Sequence, residues 1–165
     1  MVYTVLSHLH SVNRWLVLLF LVWAIVSAIT ARSTMNTAPV AAGMRAVLPK
    51  GALPAFITTH IQLLLGLILY FAAVAGLEGV GSPWVIMDKD TWAADGGEVY
   101  RFYSVTHFTY MLAAVVIITV GYMVAKRSAT DARAGFWILL SYAVGLGLIL
   151  FNIPWPGRGL QGGWY

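Results

Sequence analysis

Four stretches of the chain carry no Asp, Glu, Lys or Arg, and each is long enough to cross a bilayer: 15–31, 51–77, 102–125 and 134–157. About 20 apolar residues at 1.5 Å rise span the roughly 30 Å of hydrocarbon, so each stretch reads as a transmembrane helix. The first extends upstream through Val12, Leu9 and Leu6. It has no basic segment ahead of its apolar run, so it reads as a retained helix rather than a cleaved signal peptide. The expected architecture is all-α, an integral-membrane four-helix up-down bundle over residues 1–165, with helices at about 4–31, 54–76, 101–126 and 134–153 and an outer loop at 77–100. Pro49 and Pro54 bracket the entry to the second helix, and Pro154 and Pro156 forbid continuation of the fourth.

Charge then orients the bundle. Only 10% of the residues are charged and the mean hydropathy is +0.80, so the net charge of +4 belongs to membrane topology and not to nucleic-acid binding. Arg32, Arg45 and Lys50 follow the first helix, and Lys126, Arg127 and Arg133 lie between the third and fourth with Asp131 alone opposing them. The intervening loop is acidic, with Glu78, Asp88, Asp90, Asp95 and Glu98 against Lys89 and Arg101. The positive-inside rule places both basic loops in the cytoplasm, hence N-out and C-out. Trp84, Trp92, Tyr100, Tyr103, Trp155, Trp164 and Tyr165 form the expected outer aromatic belt. The chain has no cysteine, which excludes disulfides, thiolate chemistry, iron–sulfur clusters and c-type haem attachment.

An ionisable group inside hydrocarbon is costly, so polar residues within the spans are the places to look for function. His10 and Arg14 stand one turn apart near the outer end of the first helix, within a stripe that includes Ser7 and Asn13. His107, with Tyr103, Ser104, Tyr110 and Met111, forms a stripe at the outer end of the third. Counting at 1.5 Å per residue, His10 lies roughly 33 Å above Arg32, His107 roughly 28 Å above Lys126, and Arg14 roughly 27 Å above Arg32. His60 lies only roughly 9 Å beyond Pro54, too deep to join them.

Two imidazoles at one level in an apolar bundle suit the two axial positions of a b-type haem. Arg14 then suits a haem propionate, and Met111, a turn below His107, suits porphyrin packing or alternative ligation. Gly66 and Gly145 are expected to leave room for the ring. Each histidine also has a plain reading as an interhelical hydrogen-bonding group, and Arg14 one as a side chain snorkelling to the headgroups. His8, His10 and His107 are the only candidates for a copper or zinc site. His60 with Gln62 and Thr59 offers donors to a quinone carbonyl, or simply packs helices.

The runs 9–15 (LHSVNRW), 60–71 (HIQLLLGLILYF), 101–107 (RFYSVTH) and 153–158 (IPWPGR) resemble a family of short bacterial four-helix membrane proteins labelled cytochrome b or cytochrome-b-like. The resemblance implies a haem-binding electron-transfer protein of the inner (cytoplasmic) membrane, with His10, His60 and His107 in the matching motifs. The implied partners are the lipid bilayer with a redox partner, a larger membrane complex or a second copy of the chain. The competing expectation is a cofactor-free helical subunit of a respiratory or transport complex, associating through small-residue faces such as Ala24/Ala28 and Ala113/Ala114. No grouping of nucleophile, base and acid suggests hydrolysis, so an electron-transfer protein is expected rather than an enzyme.

Overall fold

The computed structural model describes residues 2–31, 37–39, 41, 44–74 and 97–155. Among these, four long helices run antiparallel to their chain neighbours. They are α1 (Val2–Thr30), α2 (Ala52–Val74), α3 (97–126) and α4 (Asp131–Asn152). The third is composite, with a short turn Gly97–Arg101, a π-helical turn Phe102–His107 and an α-helix Phe108–Lys126. All four are long and apolar enough to cross a membrane, and the described residues contain no strand. This is an all-α membrane protein.

The spans fall where the uncharged stretches put them, with two instructive differences. Helix α4 begins at Asp131 instead of 134, because Thr130 caps it: its backbone is extended and its side chain accepts from Arg133 N at 3.1 Å. Asp131 in the first turn suits the positive end of the helix, and its Oδ1 also accepts from Val47 N at 2.7 Å, tying the two basic connections together. Helix α3 begins at Gly97, so the last residues of the expected outer loop are helical. The remainder of that loop, with Trp84 and Trp92, lies outside the described residues, as do Trp164 and Tyr165.

The helices stand at the corners of a square. α1 packs on α2 and α4, and α3 packs on α2 and α4, so α1 and α3 are diagonal to one another. Lipid tails are as apolar as leucine, so burial against protein gains little over burial in lipid, and close packing of small residues holds such bundles together. The half of the bundle that carries the 126–131 turn follows this rule. Ala24, Ala28, Ala55, Ala114, Ala125 and Ala134 are fully buried alongside Leu21, Ile118, Ile138 and Tyr142. The alanine faces of α1 and α3 are thus largely used inside this chain. α3 and α4 approach most closely where the Ser141 side chain fills the space that a Cβ on Gly121 would take, and where Ile118 fills the space over Gly145. Gly145 therefore serves helix packing and gives no room to a planar ligand. Tyr142 Oη donates to Ala52 O at 2.7 Å, bracing the other diagonal.

Gly51 turns the chain into α2 with a φ of 84°. A Cβ there would lie 2.9 Å from Ala24 N and 3.1 Å from the Trp23 ring, so both the backbone angle and the space require glycine. Gly51→Ala is expected to cost about 1–3 kcal/mol, read as a lower thermal unfolding midpoint in detergent. Gly147→Ala, inside α4 where a Cβ meets nothing within 4 Å, serves as the control and should leave the midpoint unchanged or raise it.

Candidate functional site

The half of the square away from the 126–131 turn is built differently, from polar side chains that solve one another's hydrogen-bonding needs. Helix α4 ends in an extended Ile153 followed by Pro154, and its last carbonyls lack intrahelical donors. Ile153 N donates to Ile149 O at 3.0 Å and Trp155 Nε1 to Leu150 O at 2.9 Å, while Asn152 Nδ2 turns back to Leu148 O at 3.0 Å. The residue four beyond Asn152 in the sequence is Pro156, which has no N–H.

The Asn152 carbonyl instead faces His107 Nδ1 at 3.0 Å. A carbonyl only accepts, so Nδ1 carries the proton and Nε2 keeps its lone pair. Metal-bound histidines are commonly held in this way, with one ring nitrogen donating to a backbone carbonyl and the other left to ligate. His107 closes the π-helical turn, a wide turn often found at functional sites. Its ring is flanked by Phe102, with centroids 5.8 Å apart, and by Tyr103 at 6.1 Å.

His10 approaches from the opposite corner. Its Cε1 lies 3.2 Å from where a Cβ on Gly66 would stand, so α2 gives the imidazole its seat at a glycine. His10 Nδ1 is buried and has no hydrogen-bond partner. One turn further on, Arg14 Nε is also buried without a partner, while the guanidinium carbon sits 5.4 Å from the Trp15 ring centroid. His10, Arg14 and His107 lie within electrostatic reach of one another, and Tyr103 lies within the same reach of Arg14.

Behind His10 lies an amide network that joins α1 to α2. Asn13, 8% exposed, donates through Nδ2 to Gln62 Oε1 at 2.7 Å and to Thr58 O at 3.0 Å. Gln62 Nε2 returns a bond to His10 O at 3.0 Å. The sequence reading groups Gln62 with His60 and Thr59, and the structure separates them. Thr59 Oγ1 donates to Ala55 O at 2.7 Å within its own helix, and Gln62 faces α1.

His60 is spent on packing α2 against α3. Its Nδ1 lies 2.7 Å from Phe56 O, its Nε2 lies 3.2 Å from Thr119 Oγ1, and its ring rests on Phe56 with centroids 4.2 Å apart. Phe56 in turn stacks on Tyr122 at 4.4 Å. Met111, half-buried a turn below His107, packs against the apolar core. His8 is exposed and its Nδ1 faces Thr4 O at 2.6 Å, away from His10. Among the described residues no three His, Cys, Asp or Glu side chains form a group that could hold a metal ion.

The structure therefore brings His10, Arg14 and His107 together and keeps His60 apart. The residues missed by the sequence reading are Asn13 and Gln62 acting as a pair. Two primary amides in apolar spans are the signal, since each must find its partner inside the protein. No family model, no curated protein and no solved structure matches the chain. Nitrogen-15 spectra of histidine-labelled protein, purified without added ligand, should show His107 as the Nδ1–H tautomer with Nε2 unprotonated. An Nε2–H resonance for His107 would contradict the geometry.

Proposed function

We propose that this protein is a small integral-membrane b-type cytochrome that carries electrons through one haem b held between His10 and His107. The observation that carries the reading is His10: a buried ring nitrogen without a partner, set on the helix diagonal to one whose histidine already has its other nitrogen committed to Asn152 O. The donor set fits the group. The neutral imidazoles of His10 and His107 would hold the iron, the apolar bundle would surround the macrocycle, and the cationic Arg14 with its unsatisfied Nε would meet a propionate.

When bound, the haem supplies a reversible one-electron change at its iron. The chain's own residues do the rest. His107 is oriented and kept in the ligating tautomer by the end of α4. Arg14 offsets negative charge in a medium where an unpaired ion is costly, and Phe102 and Tyr103 wall the His107 side. Met111 lies in the apolar packing beneath, and His60 acts in the inner half as a helix-packing group. The alternative of a cofactor-free subunit of a larger complex loses one of its supports, the small-residue faces, because Ala24, Ala28 and Ala114 are fully buried within this chain.

The reading extends to location. Arg45, Lys50, Lys126, Arg127 and Arg133 gather at the end opposite His10 and His107, so a haem held there would lie near the outer face of a bacterial inner membrane with both termini outside. Electrons would arrive from the quinone pool or a membrane partner and leave to an acceptor on the outer side.

The test is the optical spectrum of detergent-purified protein, oxidised and dithionite-reduced. A b-type α-band is expected that is lost in His10→Ala and in His107→Ala and retained in His60→Ala. Absence of a Soret band in protein expressed with ample haem would refute the cytochrome reading. For orientation, the cysteine-free chain allows single labels: in spheroplasts a membrane-impermeant maleimide should modify Thr4→Cys but reach Arg127→Cys only after lysis. The reverse pattern would invert the topology.

A further inference from the structure

The two histidines are held by different means. His107 has a hydrogen bond on its ring; His10 has none on Nδ1, so its ring plane depends on how α1 sits against α2. The contacts that fix that seating lie at successive turns of α2: Thr58, whose carbonyl accepts from Asn13; Gln62, which bonds both Asn13 and the His10 carbonyl; and Gly66, which faces the His10 ring. The spacing of four residues keeps all three on one face of α2. Rotating α1 would break three amide hydrogen bonds where no water replaces them.

We infer that Gln62, with Asn13 and Gly66, is the positioning residue that sets the plane of the His10 imidazole relative to that of His107. This rests on the cytochrome reading and adds to it the element that determines ligand geometry. His10 O is the atom Gln62 holds, so the bond acts on the ligating residue itself. Gly66 acts on the ring: at 3.2 Å from Cε1, an added Cβ forces the imidazole to give by a few tenths of an ångström.

The test compares wild-type protein with Gln62→Met, Gly66→Ala and the lipid-facing control Leu64→Ala, which lies on α2 with 60% exposure. Methionine keeps the length of Gln62 and is apolar, so the helix pair should still assemble. The readouts are the largest g-value of the ferric low-spin electron paramagnetic resonance signal, which reports the angle between the two imidazole planes, and the rate of haem transfer to apomyoglobin. Gln62→Met and Gly66→Ala should each shift the g-value and speed haem loss about tenfold, the effect expected of residues that orient a ligand. Leu64→Ala should match wild type. A low-spin wild-type signal that is unchanged in both variants overturns the positioning role and leaves the cytochrome standing. Wild-type protein that takes up no haem overturns both.

Discussion

Inside an apolar bundle, a hydrogen-bonding group must be satisfied by the protein itself, because lipid offers nothing and an unmet group costs several kcal/mol. Most of the polar chemistry of this chain answers that demand. Thr30, Thr58, Thr59, Thr119 and Ser141 return their hydroxyls to carbonyls in the preceding turn of their own helices. Asn13 and Gln62 satisfy one another, and the carbonyl at the end of α4 is met by His107. Against this background the exceptions stand out. Among the described residues, the buried side-chain nitrogen and oxygen atoms left without a partner are His10 Nδ1 and Arg14 Nε. They lie one turn apart on α1, with the His10 ring seated against Gly66 of α2.

The bundle thus divides its length between two tasks. The half that carries the 126–131 turn is a close-packed scaffold in which alanines, glycines and Tyr142 bring the four helices to fixed distances. His60 belongs to that half, with both ring nitrogens facing oxygens of α2 and α3. The opposite half inherits the geometry of the square, so a residue on α1 and one on α3 meet across the diagonal instead of side by side. A flat ligand held at two opposite positions calls for that arrangement, and an up-down chain order supplies it without any long crossover connection.

The spans are legible because a charge in hydrocarbon is so unfavourable that its absence marks them, and depth counting at about 1.5 Å per residue puts His10 near the level of His107 and His60 apart from both. Local devices were less visible. Nothing in 102–107 (FYSVTH) interrupts a helical pattern, so the π-helical turn was silent. The start of α4 moved upstream because Thr130 caps it, a signal present in the sequence but outweighed by the charges at Asp131 and Arg133. Gly145 illustrates an ambiguity of small residues in membranes: a glycine leaves the same space for a neighbour or for a ligand, and here Ile118 fills it. Gln62 was legible only as a polar group. Its partner lies on another helix, 49 positions away, and sequence spacing carries no information about such a pair.

The central claim is that one haem is held by two imidazoles, one from α1 and one from α3. The near-infrared magnetic circular dichroism of the ferric wild-type protein tests it most directly, because the energy of the ligand-to-iron charge-transfer band identifies the axial pair. The account predicts the bis-imidazole band. A histidine–methionine band, which would bring in Met111, or the absence of any low-spin band in haem-replete protein, would contradict it.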